Sequence, residues 1–117
     1  MKKITVYEKP TCTTCRKTVK LLAELGYEFD RINYYVKPFT KNKLKTLLKK
    51  MNMKPSELLR KNEEAYKALN FKQKNYTESE ILDLMVENHD LVQRPIVEKG
   101  ESAILARPVE VLNDFLK

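Results

Sequence analysis

"KITVYEKPTCTTCRKTVKLLAELG", residues 3–26, decides the fold. Residues 3–7 are β-branched and apolar, so they read as a strand. Residues 13–25 read as a helix. Cys15, Val19, Leu22 and Ala23 recur at helical spacing, and Gly26 stands where a C-terminal cap belongs. The chain has only two cysteines, Cys12 and Cys15, and both lie where the strand turns into the helix.

Outward from that stretch, "YEFDRINYY" reads as a weaker strand, ended by "VKPF". Thr40 reads as the N-cap of a helix with Leu44, Leu47, Leu48 and Met51 on one face. "PSELLRK" and "NEEAYKAL" read as short helical pieces. Thr77 with Glu80 forms a capping box that opens "ESEILDLMVEN". "PIVEKGESAILA" reads as two strands around a turn at Gly100. Pro108 suits the first turn of a closing helix, with Val111, Leu112 and Phe115 inward. The order is βαβ, a helical insertion at about residues 40–90, then ββα. A dithiol at the first strand-to-helix turn of this α/β layout predicts a thioredoxin-like fold.

A length of 117 residues fits one domain with a single core. No apolar run approaches the ~20 residues of a membrane span. "MKK" begins like a signal peptide, but "ITVYEKP" is too short and too soon broken to be its apolar segment. A cytoplasmic protein is expected. The net charge is +7, and Lys supplies 18 of the 23 basic residues. These are spread along the chain without an arginine-rich block. The charge therefore reads as a solvated surface that favours small anions, with no direct nucleic-acid contact. No glycine-rich phosphate loop and no nucleophilic-serine motif occurs.

Three chemistries compete for "CTTC". Structural zinc needs four Cys or His ligands, and the chain offers two Cys and a distant His89. No metal site is expected, and His89 reads as a surface residue or a helix C-terminal cap. A staple between Cys12 and Cys15 closes a very small loop and stabilises little. A reactive thiol fits the local physics. Cys12 stands at the start of the helix, where unpaired N–H groups and the dipole favour a thiolate. Lys9, Arg16 and Lys17 add positive potential, and Glu8 opposes it. Cys15, one turn on, lies within disulfide reach as the more buried partner.

The arginines sharpen this reading. Arg60 lies in "LLRKNEEAY", Arg94 in "VQRPIV" and Arg107 in "LARPVEV". Together with "KPTCTTCR", these segments closely resemble the ArsC family of arsenate reductases, of the glutathione- and glutaredoxin-linked type. The resemblance spans essentially the whole chain, with the motifs in the same order. It implies a thioredoxin-like fold with a helical insertion and Cys12 as nucleophile. It further implies that Arg60, Arg94 and Arg107 converge on the oxyanion, that Pro95 is cis, and that Pro10 matches the proline before the nucleophile. The physics agrees, because an arsenate dianion needs charge-assisted, bidentate donors to be held in line with an attacking sulfur. Arg16 and Arg31 read as surface cations, although Arg16 stands close enough to tune Cys12.

The chain departs from that family pattern in two places. Glu8 and Lys9 stand where such reductases commonly have His-Asn, and Cys15 stands where they usually have Ser. The Spx-type redox-sensing transcription regulators, which bind RNA polymerase, carry CxxC there. Arg107 resembles the reductase branch, since those regulators generally lack it. The resemblance implies arsenate reduction to arsenite, with glutathione as co-substrate, glutaredoxin or thioredoxin as reductant, and no bound cofactor. Cys15 is a possible resolving thiol. A monomer is expected. The alternatives are the Spx-type regulator and a general dithiol oxidoreductase, for which the arginines are unnecessary.

Overall fold

The computed structural model describes residues 3–61, 63–71 and 73–116. In chain order its strands and helices are β1 (Ile4–Glu8), α1 (Thr13–Glu24), β2 (Phe29–Asn33), α2 (Lys41–Met51), α3 (Glu64–Ala68), α4 (Glu78–Glu87), β3 (Ile96–Lys99), β4 (Ser102–Leu105) and α5 (Leu112–Phe115). Two compact units result. One holds the chain up to Lys37 and from Arg94 onward, and the other is Pro38–Gln93.

The first unit is built on a four-stranded sheet of order β2-β1-β3-β4. β1 pairs parallel with β2 and antiparallel with β3, and β3 pairs antiparallel with β4. This is the βαβ and ββα arrangement of a thioredoxin-like fold. Strand alternation splits the side chains between two faces. Ile4, Val6 and Val97 join Leu22, Ala106, Leu112 and Leu116 in the core. The other face of β1 and β3 carries Tyr7, Ile96 and Glu98, all buried, and the Tyr7 hydroxyl donates to Glu98 Oε1 at 2.8 Å. Complete burial of Leu22 contributes about 1.5–3 kcal/mol.

α1 begins at Cys12, whose extended backbone makes it the N-cap, and turns back at Gly26. Gly26 has φ +81, and the following Tyr27 N–H donates to the Leu22 carbonyl at 3.1 Å. A side chain at that φ would be strained, which explains the glycine. The helix face is rotated slightly from expectation. Cys15, Thr18 and Leu22 are buried and Val19 packs on the core, but Ala23 is exposed. Positions i, i+3 and i+7 define the inward stripe, and Ala23 falls one residue beyond it.

In the second unit, Thr40 caps α2 by accepting the Lys43 N–H at 3.1 Å. Leu44, Leu47 and Leu48 are buried, while Met51 is only partly so. α2 ends at Asn52, which takes the left-handed conformation at φ 56. Thr77 and Glu80 form the capping box of α4, with bonds of 3.2 and 2.9 Å. "PSELLRK" is a 3-10 turn over Pro55–Leu58 rather than an α-helix, and Leu59 then bridges Val92. Of "NEEAYKAL", Asn62 lies outside the described residues and Glu64–Ala68 is helical. His89 stands in a 3-10 turn just after α4, which Asn88 caps.

Two further boundaries differ from the sequence reading. β2 is shorter than "YEFDRINYY", because Asn33 starts a turn that accepts the Val36 and Lys37 N–H groups on its carbonyl. Pro108 lies outside the last helix: a 3-10 turn, Val109–Val111, precedes α5, and Leu112 and Leu116 supply its buried face.

Candidate active site

β1 is an interior strand, and its chain continues beyond Glu8 into the turn that holds Cys12, with Cys15 following in the first turn of α1. The Cys12 N–H donates to the Lys9 carbonyl at 2.9 Å, and its own carbonyl accepts the Arg16 N–H at 3.0 Å. These two bonds hold Cys12 at the mouth of α1. Cys12 is partly exposed, and Cys15 is fully buried. Both are free thiols.

The sulfurs are unequal. Burial raises the Cys12 thiol, but hydrogen bonds from the Cys15 backbone, the Cys15 side chain and Arg94, with the nearby guanidinium charge, outweigh it. The net effect lowers Cys12 to about 7. Burial raises Cys15 and, although a hydrogen bond from the Lys9 backbone counters it, the neighbouring Cys12 sulfur helps push it to about 12. At neutral pH a large share of Cys12 is thus thiolate, while Cys15 stays a thiol. A thiolate is the nucleophilic form.

Arg94 is the cation of this site. It is buried at 6% exposure, and Arg94–Pro95 is a cis peptide, as the sequence resemblance implies. Arg94 Nη1 donates to the Tyr35 hydroxyl at 3.3 Å. Burial disfavours the Arg94 charge, but Tyr34, Tyr35 and Cys12 hold the guanidinium firmly protonated. Its Nε is buried and has no hydrogen-bond partner among the described residues. A buried guanidinium donor with nothing to donate to is costly unless an anion is expected there.

Arg107 is exposed, and its Nη1 donates at 2.9 Å to the Arg94 carbonyl. It thus braces the peptide that carries Arg94 and retains further N–H donors. Arg60 belongs to the second unit. It is partly buried, forms an ion pair with Glu63 at 3.0 Å, and donates Nη1 to Gln93 Oε1 at 3.3 Å. Pro10 is exposed, and Pro95 is buried. Arg16 is exposed, and its Nη2 donates to the Thr11 carbonyl at 3.2 Å.

Two residues and one pairing escaped the sequence reading. Tyr35 carries Arg94 on its hydroxyl and holds Lys9 Nζ 4.7 Å from its ring centroid. Tyr34, fully buried, packs on it with ring centroids 5.1 Å apart. The available signal was their place just past β2, since open α/β sheets bind ligands beyond the carboxyl ends of parallel strands. Arg31 is exposed, as a surface cation should be, but it has a specific partner. Its Nε donates to Glu8 Oε2 at 2.5 Å and its Nη2 reaches Oε1 at 3.4 Å. Glu8 is buried at 2% exposure, so its opposition to the Cys12 thiolate is offset by its own cation.

Among the described residues, no three His, Cys, Asp or Glu side chains gather as a metal site. No helix there is long and apolar enough to cross a membrane. The geometry is that of a lowered thiol with a buried guanidinium beside it.

Comparison with known proteins gives a consistent result. The model of the ArsC family matches residues 7–115. An arsenate reductase of Acidiphilium multivorum is 34% identical over 116 residues, 99% of this chain and 82% of that one. An arsenate reductase of Escherichia coli is also 34% identical over 116 residues, again 99% of this chain and 82% of that one. Among solved structures, an arsenate reductase from Vibrio cholerae superposes with a TM-score of 0.91 at 27% identity, covering 97% of each chain.

Proposed function

Since the chain belongs to the ArsC family, we propose that it is an arsenate reductase-like enzyme, a thiol oxidoreductase that turns arsenate into arsenite. The observation that carries this reading is the Cys12–Arg94 contact, in which a thiol lowered to about 7 shares its site with a buried guanidinium whose Nε is unpartnered.

The Cys12 thiolate attacks the arsenic of an arsenate held by Arg94. A sulfur–arsenic bond forms, and one oxygen leaves as water after protonation. Arg94 stabilises the charge that builds on the oxygens. Arg107 supports the Arg94 peptide and offers its remaining donors to the same oxyanion, and Arg60 is the third candidate cation. A second thiol then attacks Cys12. The lone pair of the attacking thiolate forms the new disulfide bond, the sulfur–arsenic bonding pair goes to arsenic, and As(V) leaves as As(III). The sum is arsenate plus two thiols giving arsenite, one disulfide and water.

Cys15 is proposed as that second thiol. Its hydrogen bond to Cys12 places it within reach, and its proton keeps it unreactive until a base removes it. Glutathione is the alternative second thiol, and glutaredoxin or thioredoxin closes the cycle by reducing the disulfide.

The test is arsenate-dependent NADPH consumption with reconstituted glutaredoxin and thioredoxin systems. Wild type should consume NADPH and Cys12→Ser should not. Equal rates would overturn the reading. Disulfide reduction in an insulin assay that is insensitive to Arg94→Ala would favour a general dithiol oxidoreductase instead.

A further inference from the structure

Tyr35 touches two cations beside the thiol loop. Its hydroxyl accepts from Arg94 Nη1 at 3.3 Å, and the Arg94 guanidinium carbon lies 5.9 Å from its ring centroid. Lys9 Nζ lies 4.7 Å from the same centroid. Lys9 also supplies the carbonyl that accepts the Cys12 N–H. An aromatic face attracts cations within about 6 Å, so one ring gathers both charges.

The backbone beneath Tyr35 is well held. Its N–H donates to Asn33 Oδ1 at 3.0 Å, while the Asn33 carbonyl accepts the Val36 and Lys37 N–H groups at 3.0 and 2.9 Å. This turn closes directly on β2, which is registered against β1 through Glu8↔Asn33. Tyr34, fully buried, packs on the Tyr35 ring with centroids 5.1 Å apart and itself hydrogen-bonds the Arg94 guanidinium. Arg94 has a long, flexible stem, and a guanidinium acts well on an oxyanion only when its fork is fixed. Among the described residues its Nε has no partner, and the guanidinium is held through its bond to the Tyr35 hydroxyl together with hydrogen bonds to the Tyr34 side chain and Cys12.

We propose that Tyr35 is a positioning residue: it aims the Arg94 guanidinium at the bound oxyanion and keeps the Lys9 ammonium beside it. The inference deepens the reductase reading and rests on it for the identity of the substrate. Its first readout needs no substrate at all, so failure of one is distinguishable from failure of the other.

That readout is the pH profile of Cys12 alkylation by iodoacetamide on the reduced protein. Tyr35→Phe keeps the ring and removes the acceptor. At pH 6 it should slow alkylation about threefold, the size of one lost hydrogen bond. In an Arg94→Ala background the same change should do nothing, because the group being positioned is gone. Equal slowing with and without Arg94 would overturn the proposal, as would no slowing at all. A second pair repeats the comparison without the ring. Tyr35→Gln retains an acceptor oxygen for Arg94 and should alkylate about threefold faster than Tyr35→Leu. Equal rates for that pair would also overturn it. In the arsenate assay, Tyr35→Phe should raise KM more than it lowers kcat, and an unchanged KM would count against the substrate half of the proposal.

Discussion

Cys15 donates a hydrogen bond to the sulfur of Cys12, one helical turn before it. Burial raises both thiols, but this contact and Arg94 bring Cys12 down to about 7, whereas Cys15 rises to about 12. A dithiol of this kind is already sorted into nucleophile and reserve before any substrate binds.

Cys12 should therefore alkylate with a midpoint near pH 7, and Arg94→Ala should move that midpoint upward by removing a hydrogen bond and a charge. Arg94→Lys should recover the charge but not the planar fork, and should fall between the two. Stopped-flow alkylation across pH 5–10 checks all three. A profile centred near the free thiol value of about 8.5 would remove the activated-nucleophile interpretation.

Cys15→Ser separates the two roles of the second thiol. A serine hydroxyl still donates to the Cys12 sulfur, so the alkylation midpoint should shift little. Turnover with arsenate should instead become dependent on added monothiol. Unchanged kinetics and unchanged reductant preference would mean that Cys15 is not the resolving group.

The thiols also leave a mark on stability. Cys12 titrates at about 7 in the folded chain against an ordinary 9.0, so it favours folding above that ordinary value, and the benefit is lost as pH falls through 7. The difference in Tm between wild type and Cys12→Ser should thus grow in favour of wild type from pH 6 to 9. Cys15 works the other way: with its folded value raised to about 12, folding is opposed as pH climbs above 9. Thermal melts of the reduced proteins at several pH values read both signs.

The Glu8–Arg31 pair predicts an order of damage. Arg31→Ala leaves a buried carboxylate without its cation and should destabilise by about 1–3 kcal/mol. Glu8→Gln keeps the shape and removes the charge, so it should cost less. Urea denaturation of the two variants gives the order, and a larger loss for Glu8→Gln would contradict it.

How much of this was legible in the sequence depended on whether a residue acts within its own element. Cys12 and Cys15 were readable because strand, turn and helix follow one another in a single stretch. Thr40 and Thr77 were readable because a cap bonds three residues ahead. Arg31 was rightly placed on the surface, but its partner was hidden because it lies on the neighbouring strand, and nothing local in "FDRIN" reveals a buried Glu8. Tyr35 was missed because a tyrosine after a weak strand looks like more strand. Its role exists only once Arg94, 59 residues later, is folded beside it. Ala23 was placed inward by counting, whereas Thr18 took the buried position, with its hydroxyl unpartnered among the described residues. A simple polar/apolar code has no way to assign a buried threonine.

The inequality of the two sulfurs has a practical side. At neutral pH an electrophilic reagent meets one partly exposed, partly ionised thiol and one sealed thiol, so the chain carries a single addressable handle. A fluorophore or spin label applied under mild conditions would mark Cys12 alone, leaving the wild-type sequence intact as its own labelled reporter.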